Sequence, residues 1–395
     1  MTNSLSKTDL KEHRLQFPGL INKNYFNFGG QGTMAESSLQ AIVDTHQYIQ
    51  EVGPFSGKIN GWLTERVNLL RRALAKELET TPETITLTEN VTAGCNIAMW
   101  GLDWSADDRI LMTDCEHPGI IATVEEIKRR FGVEVSICSM MDTLNDGDPV
   151  AVIRSQLTEN TRMVVLSHLL WNTGQVLPLQ EIAQACHNYP ARQKIRVMVD
   201  AAQSVGSLDL NLPALGIDFY AFTGHKWLCG PAGVGGLYIS QAAFAELNPT
   251  FIGWRGVEMD DRGHPIAWKQ DGAKFEVATS AYPEYEGLRQ AIAIHQEWGN
   301  KSDRYQRICE LSNYLWSKLQ QVEEVTCLKN TSPEAGLVSF QVANIEHKKL
   351  VDTLEGQGFL LRTIANPDCI RACVHYLTLT EECDRLIDAI KQNLQ

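Results

Sequence analysis

A chain of 395 residues is too long for one small core, so one large and one smaller domain is the expected organisation. Its formal charge of -13 argues against nucleic acid or an anionic membrane as partner, since both would repel it. The opening MTNSLSKTDLKEH is polar with no basic-plus-apolar leader, no apolar run reaches the length of a membrane span, and the ten cysteines are scattered without a CxxC pair, which together predict a soluble cytoplasmic protein with reduced thiols and neither a disulfide frame nor a zinc site.

In chain order, ETITLTEN predicts a strand and AGCNIAMWGL a helix; DRILMTDCEH a strand and GIIATVEEIKRRFG a helix with apolar residues at helical spacing. VEVSICSM, TRMVVLSHLL and KIRVMVDAAQ read as further strands, separated by the helical stretches DPVAVIRSQL and LQEIAQACHN, with DFYAFTG and GVGGLYIS as two more. Strands so uniformly apolar, joined by helices, mean a mostly parallel sheet covered on both faces. The polar run from Asp260 to Gly272 reads as a loop. Past residue 285 a long helical run leads through VTCLK, GLVSFQVAN, a helix around HKKLVDTLEGQG, FLLRT, CIRACVHY and a last helix EECDRLIDAIKQNL, a small α+β domain over 286–395. No internal repeat or low-complexity tract is present.

Open α/β sheets bind ligands beyond the carboxyl ends of their strands. Four polar groups fall there: Thr92 in NVTAG, where a helix start offers free N–H groups to phosphate; His117 in CEHPG; Asp200 with Gln203; and Thr223, His225 and Lys226. Each has a bland role available, Thr92 and Asp200 as helix caps and His117 as a partner for loop backbone. Lys226 lies in TGHKWLCGPAGVG, beside Trp227, Leu228 and Cys229. A solvated turn is the ordinary setting for a lysine, and these neighbours argue against it. No GK followed by Ser or Thr and no GxGxxG is present, so neither phosphate-loop motif applies. A lysine that forms a Schiff base remains, and it needs desolvation and neighbouring cations.

VDAAQS and TGHKWLCGPAGVG resemble the fold-type-I pyridoxal-phosphate enzymes of the class V aminotransferase group, over nearly the whole chain. The resemblance implies a mostly parallel, seven-stranded-type sheet flanked by helices in a large cofactor domain over 1–285, whose N-terminal segment contributes to the small domain. It implies pyridoxal 5′-phosphate on Lys226, with Asp200 keeping the pyridine nitrogen protonated and the ring an electron sink. His117 matches the residue stacked on the ring, and Gln203 the contact to the phenolic oxygen. Thr92 with the Ala93 backbone, Thr223 and His225 match the phosphate cup. Thr279 in FEVATSAYP matches a threonine that reaches the phosphate from the other subunit, which implies a homodimer with a shared active site. Arg371 in CIRAC matches the arginine that takes the substrate carboxylate, a task its fork suits. Arg362 in FLLRT is a second arginine, and the NPD turn between them predicts a hairpin joining the two.

Within the group the resemblance is strongest to the cysteine/cystine C–S lyases, with cysteine desulfurases as near relatives. Desulfurases carry a mobile loop with a nucleophilic cysteine between the two arginine positions, where this chain has only RTIANPDCIR. Their asparagine contact to the phenolic oxygen aligns with Trp171, while Asn172 is one position off. The implied reaction is α,β-elimination on a small sulfur amino acid, cystine or cysteine, giving pyruvate, ammonia and cysteine persulfide or sulfide, which can feed iron–sulfur cluster assembly. A desulfurase-like sulfur donor, an aminotransferase, an epimerase or kynureninase-like activity, and a non-catalytic cofactor-binding protein stay open at this point.

Overall fold

Apolar residues alternate between two faces along the central strands, and both faces are covered. Leu111, Val164, Val197 and Tyr220 pack into one buried cluster, while Ile110, Met163, Met198 and Ala221 pack into another across the sheet. A strand buried on both sides has no polar face, which is why these segments read as continuous apolar runs. In the computed structural model, which describes residues 9–394, the sheet has seven strands. Their order is Ile85–Thr88, Gly235–Ile239, Phe219–Thr223, Arg196–Asp200, Thr161–Ser167, Arg109–Thr113 and Glu134–Cys138. Gly235–Ile239 runs antiparallel to both its neighbours, and the pairings from Phe219–Thr223 to Glu134–Cys138 are all parallel. The expected mostly parallel, helix-covered sheet is the one observed. Residues 1–8 of the polar opening lie outside the described residues. No helix among the described residues is long and apolar enough to cross a membrane.

A second, antiparallel sheet takes Val325–Cys327, Leu337–Val342, Asp368–Cys373 and Arg362–Ala365 in that order. Its core includes Phe340, Leu350 and Ile370, together with Phe26 from the other end of the chain. The N-terminal segment reaches this region through Asn24–Tyr25, which pairs in parallel with Phe359–Leu360, and through the Cys373 N–H, which donates to the Phe26 carbonyl at 2.7 Å.

Two features depart from the expectations. Glu36–Val52 and Gly57–Glu77 are long helices that the pattern reading does not contain. The first buries only Ser38 and Thr45 fully, so its sequence carries little apolar periodicity. It packs against the helix Tyr282–Trp298, where Gly287 lets the chains close up: a Cβ there would lie 2.6 Å from Ile42 Cγ1. The run Asp260 to Gly272, expected as a loop, is partly strand. Val257–Met259 and Pro265–Trp268 form an antiparallel hairpin. Asp260 Oδ1 closes its turn by accepting from the Arg262 and His264 N–H groups, so the polar residues build the turn and the strands carry exposed apolar side chains.

Glu276 ties these parts together. Its buried carboxylate pairs with Arg71 of the second helix and with Arg255 at the base of the hairpin, and accepts from the Leu87 N–H of the edge strand at 3.0 Å. Removing one partner of a buried pair strands the other charge. We therefore expect Glu276→Ala to lose about 3–5 kcal/mol of stability, read as a fall in the thermal midpoint. A loss below about 1 kcal/mol contradicts this account.

Candidate active site

Parallel strands all finish at the same edge, so the residues just past them meet. Ser167 and Asp200 are register partners, as are Asp200 and Ala221. Glu116 and His117 follow Arg109–Thr113, and Asn90 through Ala93 follow Ile85–Thr88. Lys226 comes three residues after Thr223, in a loop closed by the Gly230 N–H on the Gly224 carbonyl.

The loop explains a lysine in apolar company. Trp227, Leu228 and Cys229 are fully buried and form its walls. The N-terminal segment crosses the loop closely: the Gly32 N–H donates to the His225 carbonyl at 2.7 Å, and a Cβ on Gly32 would fall 2.2 Å from the Lys226 carbonyl oxygen. Lys226 is itself half-buried. Desolvation lowers its pKa to about 8; Asp200 opposes the shift, and Arg371 and Arg362 add to it. A nucleophilic amine near neutral pH is what this environment makes.

Asp200 is buried, and its Oδ1 accepts from the Ala202 N–H at 2.9 Å. Burial raises its pKa, with that hydrogen bond, Lys226 and His117 pulling it back. Among the described residues no cation comes within salt-bridge distance, so this carboxylate suits a protonated ring nitrogen. Gln203 is buried beside it in sequence; its Nε2 donates to the Gly29 carbonyl and its Oε1 accepts from Trp227 Nε1, each at 2.9 Å. His117 is exposed and caps the helix Pro118–Phe131, its Nδ1 accepting from the Gly119 N–H at 3.2 Å. Its ring meets Trp171 edge-on at 6.0 Å. Burial, then Lys226 and Arg362, lower its pKa against the pull of Asp200. The helix-backbone role and a ring turned to the site thus coexist.

At the phosphate side, Thr223 Oγ1 and His225 Nδ1 lie 2.6 Å apart. Thr92 is the second residue of the helix Val91–Trp100, and the cap is Asn90, not Thr92. Asn90 Oδ1 accepts from the Ala93 N–H at 2.9 Å, so the backbone donor expected for phosphate already has a partner. Thr279 is exposed, and it lines a cleft of about 870 Å³ together with Thr92 and Ala93 of its own chain. Lys226, Asp200 and Arg371 are not among the walls of that cleft.

The two arginines meet as the NPD turn implies. Arg362 and Arg371 are direct cross-strand partners, and so lie on one face of their hairpin. Arg362 is exposed; Arg371 is buried, with an Nη donating to the Trp171 carbonyl at 2.8 Å and an Nε that has no partner. That unpartnered donor on a held guanidinium suits a carboxylate. Trp171 gives its indole N–H to the Cys115 carbonyl, and Asn172 Nδ2 reaches the Asn366 carbonyl at 3.2 Å, bracing the hairpin turn.

Two participants were not assigned from sequence. Glu116 accepts from the Thr113 hydroxyl at 2.5 Å and from the Ser167 N–H and hydroxyl at 3.0 and 2.9 Å, tying two strand ends beneath His117. Burial, opposed by these bonds, moves its pKa to about 8. The glycine cluster Gly29-Gly30-Gln31-Gly32 is the other. A Cβ on Gly29 would sit 2.9 Å from Gln203 Oε1 and 3.3 Å from Arg371 Cζ. A run of glycines beside Asn27 is its only signal in the sequence.

The amine makes a direct prediction. Free amine grows as pH rises, so acetylation of Lys226 in cofactor-free protein reaches half its maximal rate near pH 8, well ahead of surface lysines near pH 10.4. Peptide mapping after brief labelling measures it; a Lys226 midpoint at the ordinary lysine value contradicts the geometry.

Comparison with known proteins gives a consistent result. Isopenicillin N epimerase of Streptomyces clavuligerus is 29% identical over 337 residues, covering 81% of this chain and 82% of that protein. A cysteine desulfurase of Haloferax volcanii is 27% identical, covering 78% and 74%. Among solved structures, the cystine C–S lyase C-DES in complex with its reaction product cysteine persulfide superposes with a TM-score of 0.93 at 52% identity, covering 94% of this chain and 98% of that one. A C-DES variant with glycine covalently linked to the PLP cofactor matches equally, with a TM-score of 0.93 at 52% identity, covering 95% and 98%. A cysteine desulfurase from Thermococcus onnurineus shares the fold at 20% identity, with a TM-score of 0.85 and 97% of each chain covered. The model of the class V aminotransferases matches residues 39–383, and the chain belongs to that family.

Proposed function

We propose that this chain is a pyridoxal 5′-phosphate-dependent carbon–sulfur lyase that acts on L-cystine or L-cysteine by α,β-elimination, releasing pyruvate, ammonia and cysteine persulfide or sulfide. The chain is a pyridoxal-phosphate enzyme acting on carbon–sulfur bonds, in keeping with its 52% identity to C-DES. The choice of elimination over transfer to a protein thiol rests on the arginine hairpin. Ala365 pairs with Asp368, leaving only Asn366 and Pro367 in the turn. A cysteine that collects sulfur needs a segment long enough to reach the reacting carbon and withdraw. Cys369 is buried on the paired strand, with its thiol pushed up to about 12 by burial. Cys229, buried in the lysine loop, is raised as well. These are thiols that stay protonated and unreactive.

The cofactor supplies the electron sink when bound. Lys226 anchors it, and Asp200 holds the proton on its ring nitrogen. His117 would cover the ring and Gln203 would donate to the phenolic oxygen. Thr92, Thr223 and His225 would gather the phosphate, with Thr279 of a second copy reaching in. Arg371 would hold the substrate carboxylate, its Nε being a donor without a partner, and Arg362 adds positive charge on the same face. Lys226, its amine made easier to deprotonate by its surroundings, would be the group that takes the Cα proton. The products are chemically suited to iron–sulfur cluster assembly. The ten free thiols fit a reducing, cytoplasmic setting.

The hairpin of the large domain points to a homodimer. Trp254 and Ile266 are 55% and 67% exposed, and with Met259 and Trp268 they line a groove of about 650 Å³. A patch of this kind asks for cover. We expect the wild type to sediment as a dimer, and Ile266→Asp to shift it toward monomer with loss of turnover.

Elimination is tested with Cys229, Cys369 and Cys373 changed together to serine. Supplied with cystine, this variant should still form pyruvate, with persulfide in the low-molecular-weight fraction; alanine as main product would identify a desulfurase. Arg371→Ala should cost about 2–5 kcal/mol in kcat/KM with the cofactor spectrum intact, and Arg371→Lys should recover little, because an ammonium lacks the fork. Near-normal kinetics in Arg371→Ala would show that substrate binds elsewhere.

A further inference from the structure

The residue after Lys226 is held with unusual care. Trp227 is wholly buried. Its carbonyl accepts from His375 Nε2 at 3.1 Å, and the carbonyl of Leu228 accepts from His295 Nε2 at 2.9 Å. Phe28 stacks on the indole at 6.3 Å. Two glycines make room: a Cβ on Gly336 would lie 2.7 Å from Trp227 Cη2, and one on Gly206 the same distance from its carbonyl carbon. The indole fills this slot, with no exposure to solvent. Its polar demand is met at one atom, Nε1, whose hydrogen goes to Gln203 Oε1 at 2.9 Å.

An indole nitrogen donates and never accepts. The Gln203 atom facing it is therefore the amide oxygen, and the NH2 group points the other way. One of its hydrogens goes to the Gly29 carbonyl at 2.9 Å, and the second remains. We propose that Trp227 is a positioning residue for catalysis: it fixes the orientation of the Gln203 amide, so that the spare N–H, and not the carbonyl, meets the phenolic oxygen of the cofactor. This rests on the reading of Lys226 and Gln203 given above. Without the indole hydrogen the amide is held only through the Gly29 carbonyl, and it can swing about that bond so that the spare N–H no longer meets the phenolic oxygen. The phenolic oxygen loses a donor, keeps more negative charge, and the neighbouring Schiff base holds its proton more tightly.

The test is a pH titration of the visible Schiff-base band in the holoenzyme, for wild type, Trp227→Phe, and a variant with β-(3-benzothienyl)alanine in place of Trp227. That analogue preserves ring size and lacks the N–H, so it separates the hydrogen bond from packing if the phenylalanine variant does not fold. The midpoint should rise by about one pH unit in both, the tenfold change expected for losing one hydrogen bond to a charged acceptor. Gln203→Leu should give the same rise, and combining it with the analogue should add nothing further. A wild-type midpoint in the analogue variant, with or without a lower thermal midpoint, would reduce Trp227 to a packing residue and overturn the proposal. Absence of any such band from wild-type holoprotein would overturn the reading of Lys226, and this inference with it.

Discussion

The structure surrounds one amine, that of Lys226, with groups that hold it in place and make it easier to deprotonate. Lys226 sits between apolar walls and two arginines, with a buried carboxylate across from it. In water such an amine is protonated and inert near pH 7. Here desolvation works against the charge while Asp200 limits the effect, and the balance leaves the pKa near 8. The parallel sheet is what makes this possible. It brings Ser167, Asp200 and the loop after Thr223 to a single edge. The antiparallel strand Gly235–Ile239 then carries the chain back from the lysine loop, pairing Gly235 with Thr223. A Cβ on Gly235 would strike the Phe222 carbonyl oxygen at 2.3 Å, so glycine is required where the two strands close on each other.

On the proposed reading, the arginine hairpin decides the fate of sulfur. A lyase and a desulfurase need the same lysine, carboxylate and arginine, and differ in whether a thiol can travel. In this chain the arginines are locked as cross-strand neighbours. Asn172 braces their turn, and the Trp171 carbonyl holds Arg371. On that reading, a hairpin held at its tip and at its arginine does not carry sulfur. Rigidity here favours release of a small product.

Much of this was legible in the sequence, for physical reasons that differ by element. The strands showed because burial on both faces leaves apolar residues throughout stretches such as MVVL. The arginine hairpin showed because Asn-Pro-Asp is turn chemistry between two apolar stretches. Asp200 and Lys226 showed because a charge at the end of an apolar strand demands an explanation. The helix Glu36–Val52 did not show, since it packs through half-buried residues and lacks a strong apolar stripe. The strands flanking Asp260 were hidden by the polar turn between them. Glu116 was visible as a residue but not as a participant, because its partners Thr113 and Ser167 come from two different strand ends. The glycines over Gln203 act through what a side chain would obstruct, which no local pattern reveals.

The claim on which all else depends is that Lys226 carries the cofactor. Borohydride reduction of the holoenzyme, followed by proteolysis and mass analysis of the labelled peptide, addresses it directly. The account predicts a single reduced adduct within GHKWLCG, on Lys226. An adduct on any other lysine, or none at all, would contradict it.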